Sequence, residues 1–206
     1  MTKESDILRI VKEDILEVVG RENKIIPLKF MKLEVKVSGS FISKAIKELE
    51  GEDLIKIFSE KNSGKEYIQL TKKGRVRAKV ILEKHSVLEK YFKEKRSEEE
   101  AVKATNILEH YISTEVVDQI KKLSTSKKEG ISLTKLELNK ESIITDIVFS
   151  DYGLFERLVS MGIFLGGKIR VMYKIPDGIV VEIKNKMFAL DKDIAKEIKV
   201  AGNEKT

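Results

Sequence analysis

The sequence predicts an α+β chain of several domains, helical over about its first two thirds and ending in a small β-barrel-like tail. Three observations carry this. Apolar residues recur at helical spacing from Ile7 onward. A polar run, Ser124 to Gly130, reads as a linker. Beyond it, short β-leaning runs alternate with turns rich in Gly and Pro.

The elements follow in order. Ile7, Leu8, Ile10, Val11, Ile15, Val18 and Val19 mark a helix over 6–19, with Gly20 placed to end it. Pro27 is suited to open a short helix from Leu28 to about Val35. Ser38-Gly39-Ser40 is turn-and-cap chemistry ahead of a third helix, Phe41 to Leu49. Leu54–Phe58 and Tyr67–Leu70 flank a polar loop containing Asn62-Ser63-Gly64 and read as a hairpin. Thr71 caps a long helix to about Phe92. Ser97 and Glu100 form a capping box opening a helix to about Tyr111, and Ser113 restarts another that ends near Leu123. In the tail, Ile143-Ile144, Lys168–Tyr173, Ile179–Ile183 and Met187–Leu190 read as strands. Gly166-Gly167 and Pro176-Asp177-Gly178 are their turns, and a helical stretch over Leu154–Met161 interrupts them.

Composition narrows the function. The 206 residues include no Cys, which removes disulfides, thiolate metal sites and cysteine nucleophiles together. No apolar run nears the roughly 18 residues of a membrane span, and Met1 to Asp6 is polar rather than signal-like. A soluble cytoplasmic protein without membrane insertion is expected. No Gly-rich phosphate loop, nucleophile elbow or HExxH motif is present, so no enzyme is expected. The net charge of +6 is modest, so its distribution matters more than its size.

Helix, turn, helix and hairpin in that order make a winged helix-turn-helix. In the third helix Ile42, Ala45, Ile46 and Leu49 form the inward stripe. Ser40, Ser43, Lys44 and Lys47 are left outward, with Ser38 just before them. Serines can bond phosphate or base edges and lysines neutralise phosphate, so these five are the candidate DNA contacts. The alternative is a solvated face of a protein-binding winged helix.

Only two histidines occur. His85 has Glu89 one turn on, and His110 follows Glu109, with Asn106 three residues before Glu109. Asp14 and Glu17 form an acidic pair on the first helix. Imidazole and carboxylate at such spacing hold divalent cations in helical bundles. Without sulfur ligands the set suits Mn²⁺ or Fe²⁺, with Zn²⁺ able to compete. Each motif alone is also an ordinary surface pair.

Several segments resemble one family. Val37 to Glu50, followed by Asp53-Leu-Ile55, is similar to the recognition-helix region of the diphtheria toxin repressor family of metal-dependent transcriptional regulators. Leu70 to Arg75 resembles that family's passage from the wing into its long helix. Lys84-His85-Ser-Val-Leu-Glu89 and Leu108-Glu109-His110-Tyr-Ile-Ser113 resemble its histidine signatures, and Glu13-Asp14-Ile-Leu-Glu17 its manganese-branch acidic motif. The tail, from Asp151 to Met161-Gly162 and Gly166-Gly167, resembles a FeoA-type SH3-like domain.

The resemblance implies a homodimer on a palindromic double-stranded operator, repressing iron- or manganese-uptake genes. It implies Asp14, Glu17, His85, Glu109 and His110 as primary ligands and Glu89 as an ancillary one. Implied domains are a winged helix-turn-helix over 1–72, a helical dimerisation and metal-binding domain over 73–126, and an SH3-like domain over 132–206. Asn106 departs from the pattern, standing where the family has Cys or Glu. A neutral carbonyl does not neutralise cations as a carboxylate does. Two further readings therefore stand beside the main one: a winged-helix regulator without metal sensing, and an adaptor in metal trafficking that works through its SH3-like tail.

Overall fold

Leu8, Val11, Ile15, Leu16 and Val19 share one face of α1 (Lys3–Glu22), and all are buried. That stripe, rather than helix propensity, is what holds the helix in place. The computed structural model describes residues 3–60, 63–125, 130–149 and 151–202. It divides into two compact units, Met1–Ser86 and Val87–Thr206.

In the first unit, α2 (Leu28–Glu34) follows Pro27, whose φ of −62° is already helical, and buries Met31. Helix α3 (Gly39–Gly51) buries Ile42, Ala45 and Leu49 against α1. The hairpin β2 (Ile55–Ser59) and β3 (Glu66–Leu70) pairs Ile55 with Leu70 through to Ser59 with Glu66. The short β1 (Ile26–Pro27) adds to the other edge of β3, giving an antiparallel order β1-β3-β2. This is the predicted winged helix-turn-helix; Asn62 of the loop lies outside the described residues. The long helix α4 (Lys72–Lys93) leaves the wing through Thr71. The Thr71 hydroxyl donates to the Asp53 carbonyl at 2.7 Å and accepts from the Gly74 N–H at 2.9 Å. A Cβ at Gly74 would lie 1.8 Å from the Leu54 carbonyl oxygen, so only glycine fits there.

The end of α1 differs from expectation. Gly20 does not end α1, which continues to Glu22. The stop comes from Asn23, whose φ of 49° is left-handed, a conformation asparagine tolerates.

In the second unit, α5 (Glu98–Leu108) opens on the expected capping box. The Ser97 hydroxyl, and with it the Ser97 N–H, holds the Glu100 carboxyl below its usual range. The helix ends at Leu108 rather than near Tyr111. Helix α6 (Thr114–Thr125) runs two residues into the stretch read as a linker, and residues 126–129 lie outside those described.

Six antiparallel strands follow: β4 (Ile131–Ser132), β5 (Glu141–Ile147), β6 (Lys168–Ile175), β7 (Gly178–Ile183), β8 (Lys186–Asp191) and β9 (Ile198–Val200). Their order is β4-β9-β5-β6-β7-β8. Helix α7 (Tyr152–Met161) is capped by Asp151 and stopped at Gly162, φ 93°. The short α8 (Lys192–Glu197) precedes β9. Leu88, Tyr91 and Phe92 from the end of α4 share one core with α5, α6 and the sheet. The Tyr91 hydroxyl donates to the Thr145 carbonyl at 2.5 Å, and burial pushes its phenol well above the ordinary value. Arg96 donates to the Ile147 carbonyl at 2.6 Å and lies 4.4 Å over the Phe149 ring.

Among the described residues no helix is long and apolar enough to cross a membrane. The close approach at Gly74 has a measurable consequence. Gly74→Ala should destabilise the protein by more than about 3 kcal/mol, because the obstructing atom is backbone and cannot rotate away. Urea denaturation followed by circular dichroism checks this; a midpoint near that of the unsubstituted protein contradicts it.

Candidate metal centre and recognition helix

The centre is built where α1 crosses α4. A Cβ on Gly20 would meet the Ala78 Cβ at 2.9 Å and Leu82 Cδ1 at 3.3 Å, so the glycine lets the helices approach closely. One turn before Gly20, α1 carries two inward carboxylates four residues apart. Glu13 is 7% exposed and Glu17 is 5% exposed. A buried carboxylate is tolerated only when paired, so the partners of each decide its role.

Glu13 lies 3.5 Å from Arg9 and 3.5 Å from Arg77, two permanent cations. Glu17 takes Arg21 one turn on, and its Oε1 stands 3.4 Å from His85 Nδ1 on α4. That separation is long for a hydrogen bond. It suits two neighbouring donors on one cation, which lie about 3 Å apart when metal–donor bonds are about 2.1 Å. The oxygen-plus-imidazole chemistry fits Mn²⁺, Fe²⁺ or Zn²⁺. Asp14 is half-buried beside them in sequence, on the same helix. Glu89 follows His85 by one turn of α4 and pairs with Lys93 at 3.0 Å.

In the second unit Glu109 and His110 sit just past the end of α5, where Glu109 is the C-cap and its N–H bonds the Thr105 carbonyl at 3.0 Å. Both side chains are buried, with His110 Nε2 3.7 Å from Glu109 Oε1. Asn106 is exposed on α5, whereas Glu109 and His110 are buried.

On α3, Ser38, Ser40, Ser43, Lys44 and Lys47 are all exposed, opposite the buried stripe. Ser38 caps the helix by position without a side-chain cap bond; its hydroxyl instead lies 2.9 Å from that of Ser40. Lys44 Nζ lies 3.0 Å from Glu4 on α1. A cleft of about 540 Å³ beside the wing, not among the sequence expectations, gathers Lys29, Lys32, Lys65 and Tyr67. Its signal was the lysine spacing after Pro27, which joins Lys65 only once the hairpin register is known.

Fold and sites together define a winged helix-turn-helix protein with a helical segment and a C-terminal six-stranded antiparallel sheet. Two family models match it. One describes the "Iron dependent repressor, metal binding and dimerisation domain" and matches residues 71–128. The other describes the FeoA domain and matches residues 131–202. Together they span more than half of the chain, which belongs to the diphtheria toxin repressor family of metal-dependent regulators, in the form that carries a FeoA domain. The family consists of DNA-binding homodimeric repressors and not of enzymes.

Similar solved structures include a "Manganese-dependent transcriptional repressor complex with manganese", 20% identical over 93% of this chain and 100% of that one, with a TM-score of 0.46. The manganese regulator SloR is 20% identical over 93% and 98%, with a TM-score of 0.45. IdeR of T. acidophilum is 18% identical over 98% and 99%, with a TM-score of 0.40. No curated protein sequence matches the chain significantly.

The crossing predicts its own disruption. Gly20→Val should destabilise by about 1–3 kcal/mol, and Ala78→Gly in the same chain should recover part of the loss. A double-mutant cycle in urea checks this; additive effects contradict the close approach.

Proposed function

We propose that this chain is a cytoplasmic repressor of metal-uptake genes that binds a palindromic operator as a homodimer and responds to Fe²⁺ or Mn²⁺, with Zn²⁺ as a surrogate. The observation that supports it best is the buried Glu17 carboxylate facing His85. Asp14, Glu17 and His85 in the first unit, and Glu109 and His110 in the second, are the proposed donors, with Glu89 ancillary. Asn106 offers only a neutral carbonyl and carries the least weight.

A bound divalent ion supplies the positive charge that these donors otherwise take from protons and basic neighbours. Glu13, already satisfied by Arg9 and Arg77, stays outside the donor set. Glu17 and His85 tie α1 to α4 within the unit that also holds the recognition helix, so metal occupancy favours one arrangement of that unit. Ser38, Ser40, Ser43, Lys44 and Lys47 meet the duplex, and the serines can reach base edges or phosphate. The lysines of the wing-side cleft add positive charge to the same unit. In this reading residues 1–72 read DNA, 73–126 dimerise and bind metal, and the FeoA domain follows over 132–206.

Titrating metal-free protein with Mn²⁺ in a calorimeter tests the donor set. His85→Ala with His110→Ala should abolish tight binding and Glu17→Gln should weaken it by at least about tenfold, while Glu13→Gln leaves it unchanged. Anisotropy with operator DNA should then show affinity that rises with Mn²⁺ and falls steeply with salt. Equal DNA affinity with and without chelator eliminates the metal response.

A further inference from the structure

Helix α3 carries its charges against its own dipole. The lysines Lys44 and Lys47 sit in its middle, while Glu48, Glu50 and Glu52 crowd its C-terminal end. Carboxylates there face the negative pole of the helix, and Glu48 and Glu52 are like charges at i, i+4 spacing. Both features disfavour the helix locally. A local rule broken this way marks either a compensating partner or a functional position.

The partner is Lys12 of α1. Its ammonium lies 3.3 Å from Glu48 Oε2 and also bonds Glu52 Oε1. The side chain is only 19% exposed, far less than a typical surface lysine. One cation therefore neutralises the two carboxylates that α3 cannot accommodate alone. A second link, Lys44 to Glu4, joins the same helix pair nearer their N-terminal ends, but both of its side chains are more than half exposed. An exposed pair of this kind contributes little. The partly buried clamp at Lys12 is the one that can set the angle between α1 and α3.

We propose that Lys12 is a positioning residue for DNA binding: held between Glu48 and Glu52, it locks the recognition helix to α1, the helix that carries Asp14 and Glu17, without itself touching DNA. The proposal rests on the DNA-binding reading above. Lys12 occupies the side of α3 that faces α1, whereas Ser40, Ser43, Lys44 and Lys47 occupy the exposed side. Removing it therefore misaligns the reading head without deleting a phosphate contact.

The experiment uses the full chain, Mn²⁺ and an operator duplex, with Lys12→Met, Lys12→Arg and Lys47→Ala. Lys12→Met keeps the apolar stem and loses the charge. Its operator affinity at saturating Mn²⁺ should fall about tenfold, with calorimetric Mn²⁺ affinity unchanged. The slope of log affinity against log salt should stay at the unsubstituted value. Lys47→Ala should lower that slope by about one, as loss of a phosphate contact does. Lys12→Arg should restore the affinity. Amide exchange should also quicken at residues 48–52 in Lys12→Met, a readout independent of DNA. Operator affinity unchanged in Lys12→Met overturns the proposal, as does a salt slope that drops with it or exchange unaltered at 48–52. If the unsubstituted chain shows no operator binding, the DNA-binding reading falls and takes this proposal with it. If that chain binds DNA normally and Lys12→Met does too, only the proposal falls.

Discussion

The close crossing of α1 over α4 at Gly20 and Ala78 is the contact on which the first unit depends. It is a backbone constraint: the space that a single Cβ would fill is taken by the neighbouring helix. Because α1 lies that near, Glu17 is driven below the surface and opposite His85. The same approach brings Glu13 within reach of Arg77 on α4. Two carboxylates are thus buried by one packing decision, and their partners differ: guanidinium groups for Glu13, an imidazole and Arg21 for Glu17.

That distinction matters because burying a carboxylate is unfavourable unless charge returns to it. For Glu13 the return comes from two guanidinium groups, those of Arg9 and Arg77. For Glu17 it comes partly from Arg21, which is mostly exposed, and partly from an imidazole whose charge is not permanent. Helix α1 also reaches the recognition helix through Lys12, so one helix carries both the proposed donors and the link to α3.

Much of the fold was legible because local signals and global packing agreed. The apolar stripes of α1 and α3, the capping box at Ser97 and Glu100, and the turns at Gly166 and Asp177 are short-range features. What escaped was long-range or very short. Gly20 looks the same in sequence whether it ends a helix or admits another, and only the position of Ala78 decides. β4, β9 and α8 hold two, three and six residues, too few for a period to register. In the candidate site, Glu17 and His85 stand out by residue type and spacing. Their burial, and the claim of Arg77 on Glu13 across 64 positions, depend on tertiary contacts that no window of sequence contains. Asn106 shows the converse: helical spacing groups it with Glu109, but Asn106 is exposed where Glu109 and His110 are buried.

The central claim is that Glu17 and His85 share one divalent ion. X-ray absorption at the manganese edge of the Mn²⁺-loaded protein tests it most directly. The expected spectrum shows a shell of oxygen and nitrogen donors without sulfur, with outer-shell imidazole scattering that weakens in His85→Ala. A spectrum without imidazole scattering, or one unchanged by His85→Ala, contradicts it.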